Sequence, residues 1–173
     1  MATRPGEVGP VVADMTPGIG DRWRQFVAGH THPAETYVEL IEEAFDGLPS
    51  VLDVVEIDEE ESTVDTASLP PAVTVRTEAP TDLTAVAVHA NEFLTRARGA
   101  GDRIFVWYDS ITGVLDHARR PDVFRSLHRL SVQTRGVDGT GYYWLSPEGH
   151  DGRTRAVFGS LFDAVVPPER ASE

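Results

Sequence analysis

The residues best placed for chemistry are Asp109 and Ser110, which close the apolar run Ile104 to Tyr108. A carboxylate at the carboxyl end of a buried parallel strand lies where open α/β sheets place their ligands. It suits either a water held on magnesium or the cap of the turn that follows. His30 and His32 come just after another apolar segment, Gln25 to Ala28. In an extended chain, positions i and i+2 share a face, so two imidazoles could serve as metal ligands. Pro33, Ala34 and Glu35 follow, and no third ligand is spaced with them, so the sequence assigns no metal and leaves these two as its only candidates. Arg119, Arg120, Arg125, Arg129 and Arg135 make a third constellation, a basic stretch in an acidic chain. Arg125 and Arg129 are one helical turn apart and share a face, open to an acidic partner, to the chain's own acidic segments or to solvent.

What is missing narrows the chemistry further. There is no cysteine, which removes disulfides, thiolate metal sites and cysteine nucleophiles. No Gly-x-Ser-x-Gly elbow occurs, and His89, His117, His128 and His150 are scattered. All 15 basic residues are arginine. A P-loop requires glycine-rich amides around the phosphates, a lysine on the β and γ oxygens and a Ser or Thr on magnesium. The nearest glycine-rich piece, Thr16 to Arg22, carries Asp21 where phosphate would sit and reads as a turn. A phosphorelay receiver, which also ends a strand in Asp, lacks its lysine for the same reason.

A chain of 173 residues, 40% of them hydrophobic, supports one core and one domain. Its net charge of -13 repels a phosphate backbone, so nucleic acid is not among the expected partners. Acidic excess without lysine fits work in molar salt and a halophilic source; an arginine-favouring, GC-rich genome gives the same bias. No apolar run reaches the roughly 20 residues of a membrane-spanning helix. The first residues lack the apolar centre of a signal peptide, so the expected location is cytoplasmic.

The elements that must position these residues are read from periodicity. Residues 1–22, with prolines and glycines and no sustained period, are expected to be a flexible lead-in with a short strand at Val11 to Ala13. Strands are expected at 25–28, 51–57, 72–75, 103–108, 142–145 and 164–166, before a polar tail at 168–173. Helices are expected from Pro33 to Gly47, from 80 to 97, at 111–117, at 121–135 and at 151–163. Alternation of strand and helix predicts an α/β domain over 23–167, three-layered, its central sheet mostly parallel with helices on both faces.

The segment Arg-Ile-Phe-Val-Trp-Tyr-Asp-Ser-Ile-Thr, Arg103 to Thr112, resembles the Walker B strand of RecA-superfamily ATPases, the KaiC-like branch in particular. Helix 121–135, strand 142–145 and the stretch Gly149 to Arg155 leading into Leu161 to Val166 follow the same branch's order. With residues 25–98, about 140 positions are similar to such a domain, and the whole resembles small, degenerate haloarchaeal KaiC-like proteins of unknown function. The resemblance implies a nucleotide-binding role for Asp109, Ser110, Arg153 and Arg155, the two arginines reaching a neighbouring subunit's nucleotide. The missing lysine implies the opposite outcome, a RecA/KaiC-like remnant that has lost phosphoryl transfer. The expectation is therefore a non-catalytic regulatory or scaffolding module that binds a protein partner or itself, without a cofactor. The alternative is a divergent nucleotide-binding or hydrolytic enzyme using Asp109 with ATP and Mg²⁺.

Overall fold

The computed structural model describes residues 22–60, 64–146 and 148–166. Five strands form one all-parallel sheet: β1 (Trp23–Gly29), β2 (Val51–Ile57), β3 (Val73–Glu78), β4 (Arg103–Asp109) and β5 (Thr140–Tyr143). Their order is β3-β2-β1-β4-β5. From β1 the chain runs outward through β2 to β3, then returns past β1 to β4 and β5. The switch point of this doubly wound order therefore lies between β1 and β4.

The reversal also decides the layers. Parallel crossovers are right-handed, so crossovers running in opposite directions along a sheet leave their helices on opposite faces. Helix α1 (Ala34–Phe45), between β1 and β2, packs Tyr37, Val38 and Ile41 on Val27, Leu52, Val54 and Trp107. On the other face lie α2 (Leu83–Ala97), α3 (Ile111–His117), α4 (Arg120–Arg135) and α5 (Gly152–Gly159), over Phe26, Val55, Ile104 and Val106. The expected three-layer α/β fold is the observed one.

The helices start where local chemistry satisfies their first amides. The side chains of Asp82, Ser110 and Asp151 accept from Ala85, Gly113 and Thr154, capping α2, α3 and α5. Pro121 sits in the first turn of α4, where its missing N–H costs nothing. Helix α1 has no such cap of its own. Inside β2, Asp53 is buried within a run of apolar residues and is held by Arg96 at 2.5 Å, with Arg76 at 3.7 Å.

Several expected boundaries shift, among them the strand expected at 25–28, which is Trp23–Gly29, and the helix expected at 80–97, which starts at Leu83. The strand placed at 72–75 is Val73–Glu78, the one at 142–145 is Thr140–Tyr143, and the helix at 151–163 stops at Gly159. The last strand expected at 164–166 does not form: Val165 and Val166 are 71% and 45% exposed. Phe162 instead stacks on Tyr143 at 4.4 Å, which turns the chain off the edge, and the following Pro167 and Pro168 offer no N–H to a ladder. The strand expected at Val11 to Ala13 lies outside the described residues.

Candidate functional site

The parallel register lines up one residue from each of four strands at the carboxyl edge: Thr77, Glu56, Gly29 and Asp109. Register partners in a sheet share a face, here the face of α1, so this row is a shelf at the mouth of the switch point. Gly29 leaves a gap in it. The ring of Tyr37, from the first turn of α1, lies in that gap, and a Cβ at position 29 would meet its Cε2 at 2.1 Å. The Tyr37 hydroxyl then donates to Asp109 Oδ2 at 3.0 Å, while Thr31 Oγ1 donates to Oδ1 at 3.3 Å. The backbone N–H of His30 donates to the Asp109 carbonyl, and the peptide between Asp109 and Ser110 is cis.

Glu56 supplies the cap that α1 lacks. Its Oε1 accepts from the Ala34 N–H at 2.5 Å, and its Oε2 accepts from Thr77 Oγ1 at 3.4 Å. A helix amino terminus after a strand is where α/β proteins bind phosphate, because free N–H groups and the helix dipole both favour an anion. In this chain the anion at that position is a carboxylate from the neighbouring strand.

Electrostatics follow from burial. Asp109 is 2% exposed. Burial pushes its carboxyl above the ordinary carboxylate range, against the opposing pull of the Tyr37 hydrogen bond and of His32, Thr31 and His30. Burial, and next the neighbouring Asp109, push the Tyr37 phenol up, which keeps it a neutral donor. His30 rests on Gly113, where a Cβ would meet its Nδ1 at 2.5 Å, and its ring lies 5.4 Å from that of His117. The Nε2 atoms of His30 and His32 are buried and have no hydrogen-bond partner among the described residues. No group of three His, Cys, Asp or Glu among the described residues could hold a metal ion.

The residues singled out in the sequence divide into two places. Asp109 is in the shelf and Ser110 directly follows it; Ser110, not Asp109, caps the following turn, accepting through its Oγ from the Gly113 N–H at 3.1 Å. His30 and His32 are beside them, in the loop after β1 rather than within a strand. Arg153 and Arg155 are elsewhere, exposed on α5, and no hydrogen bond or ion pair among the described residues joins them to Asp109. Arg153 belongs with the other arginines. A cleft of about 450 Å³ between α4 and α5 is lined by Arg120, Arg125 and Arg153 around Phe124, Val157 and Phe158. A groove of about 1200 Å³ between α2 and α4 is lined by Arg119, Arg125 and Arg129 with Leu83, Val88 and Phe124. Arg155 lines neither. Asp122 accepts from Arg119 at 2.8 Å and from Arg125 as well, whereas Arg129 has no ion pair among the described residues.

Thr31, Tyr37 and Glu56 were not singled out by sequence. A signal for Glu56 exists, since a carboxylate inside the run Val51 to Ile57 needs a buried partner. A signal for the loop exists too: Gly29 ends an apolar strand just before a helix. The glycine-rich piece Thr16 to Arg22 lies, apart from Arg22, outside the described residues.

Residues 12–167 match the Family of unknown function (DUF7504). The chain belongs to that family. No curated protein matches it. Among solved structures it is similar to the uncharacterized protein PH0321 from Pyrococcus horikoshii, in complex with an unknown peptide, at 12% identity and a TM-score of 0.49. That similarity covers 90% of this chain and 68% of the other. Among the described residues, no helix of this DUF7504 member is long and apolar enough to cross a membrane.

Proposed function

We propose that this DUF7504 member is a degenerate RecA/KaiC-like module that performs no phosphoryl transfer and serves as a regulatory or scaffolding unit, binding a protein partner or a second copy of itself through the arginine surface of α4. One observation carries the non-catalytic part. The position a phosphate would take at the start of α1 is filled by the Glu56 carboxylate, and the space above Gly29 is filled by the Tyr37 ring. Both oxygens of Asp109 are already accepting hydrogen bonds from Thr31 and Tyr37. A nucleotide would have to displace a buried anion and an aromatic ring, and would gain no lysine in exchange.

The binding part rests on charge. In a chain of net charge -13, helix α4 carries Arg120, Arg125, Arg129 and Arg135, and Arg125 and Arg129 with Arg119 line a groove beside partly exposed apolar side chains. The lysine-free, acidic remainder suits a salt-rich cytoplasm, where a specific contact needs apolar area as well as charge. Titration calorimetry of ATP and ADP with Mg²⁺ in molar KCl, with Asp109→Ala alongside, tests the reading. The expected result is no binding at millimolar nucleotide for either protein. Micromolar binding lost in Asp109→Ala would replace this account with a nucleotide site built on Asp109.

A further inference from the structure

Resting on the protein-binding reading above, we infer that the cleft between α4 and α5 is a docking site for an acidic segment of a partner protein, one that inserts a single large apolar side chain between flanking carboxylates. The floor is apolar and closed: Phe158 is 1% exposed and packs on Phe124 at a ring separation of 6.1 Å. One wall is left open, because Val157 is 44% exposed in a helix whose other core-facing residues are buried. A volume of about 450 Å³ is enough for one aromatic or branched aliphatic side chain with part of its backbone.

Charge selects the occupant. Arg120, Arg125 and Arg153 stand around the rim. The carboxylates near them are already committed. Asp122 accepts from Arg125 and Arg119, and Asp151 caps α5 through the Thr154 N–H at 2.7 Å. Thr154, ahead of the more distant Arg120 and Arg153, holds Asp151 below the ordinary carboxylate range. Arg120 and Arg153 thus have no hydrogen-bonded acid of their own among the described residues. An apolar pocket ringed by arginines is the pattern of an interface anchor: a buried side chain supplies affinity, and rim charges supply orientation and rejection of basic partners. The adjoining groove between α2 and α4 continues the same character through Arg129 and Val88, so an extended or helical segment can run on from the anchor.

The test uses a fluorescein-labelled synthetic peptide with one phenylalanine between runs of glutamate, titrated against the full chain from molar KCl down to the lowest KCl at which its circular dichroism stays that of the folded chain, and followed by anisotropy. Saturable binding is expected, weakening as salt rises. It should fall by at least about tenfold in Val157→Glu, which fills the open wall, and again in the pair Arg125→Glu with Arg153→Glu. All three positions are exposed, so the unfolding midpoint of each variant should match that of the parent. The same peptide with serine for phenylalanine should not bind. No saturable binding, binding indifferent to both sets of changes, or displacement of the peptide by a short polythymidine strand would overturn the inference. The nucleotide titration is a separate readout: a peptide that fails while ATP also fails removes this cleft and leaves the non-catalytic reading standing. ATP binding beside intact peptide binding does the reverse.

Discussion

The shelf at the switch point and the arginine surface over α4 and α5 are opposite kinds of site. The shelf has the position of a ligand crevice, but each carboxylate oxygen in its row already accepts a hydrogen bond from within the chain: Glu56 from Ala34 and Thr77, Asp109 from Tyr37 and Thr31. The arginine surface has no special place in the topology, yet it leaves apolar wall and cationic rim open to solvent. Topology says where an α/β protein can bind, and the satisfaction of side chains says whether it still does. A crevice that has been filled should behave as core, so changes there should register as stability. A surface that is open should tolerate change and register it only as lost binding.

The largest expected effect is at Gly29. Gly29→Ala drives a methyl into the Tyr37 ring and should cost about 3 kcal/mol in denaturant unfolding, the upper range for overpacking. Combining it with Tyr37→Ala should cost clearly less than the sum of the two single changes, since the second removes what the first collides with. Additive losses would mean that the ring does not fill the gap.

Glu56→Ala comes next, at about 1–2 kcal/mol, the range for losing a helix cap with a charge-assisted bond. It also sharpens the comparison, because it empties the anion position. Sulfate should raise the melting temperature of the variant more than that of the parent; equal responses would mean that Glu56 is not standing where an anion would.

Asp109→Asn should have a smaller effect, of the opposite sign. A carboxyl whose folded pKa is raised is destabilising once pH passes its unfolded value near about 3.9, because the unfolded chain gives up its proton first. Asn keeps an acceptor for Tyr37 and a donor toward Thr31 without the charge. Its melting temperature should exceed the parent's at pH 7, and the difference should shrink as pH falls through the raised folded value and be gone below the ordinary carboxylate range. A variant that is less stable at pH 7 would mean that the Tyr37 and Thr31 hydrogen bonds outweigh the burial of the Asp109 charge. Smallest of all, Arg125→Glu with Arg129→Glu should leave the unfolding midpoint where it is, in contrast to every change in the shelf.

The elements themselves were legible because their signals are local. The run Ile104 to Tyr108 ending in Asp109, the stripe Val86, Ala90, Phe93 and Leu94, and Pro121 at a helix start each declare their structure within one window. The short outer pieces were less so. Strand β5 is four residues at an edge, and the segment 164–166 has the composition of a strand but not the neighbour, since Phe162 stacking on Tyr143 turns it away.

By itself the sequence determined the α/β class, the absence of a phosphate-binding lysine, and the arginine spacing on one face of α4. Only the tertiary structure decided that Gly29, Glu56 and Asp109 stand in one row, that Tyr37 fills the gap, and that Arg153 joins Arg120 and Arg125 rather than Asp109. The reason is physical. Helical and strand periods are set by a few adjacent residues, whereas the row depends on the register between strands separated by whole crossovers. Register is fixed by packing across the sheet, and no window along the chain contains it.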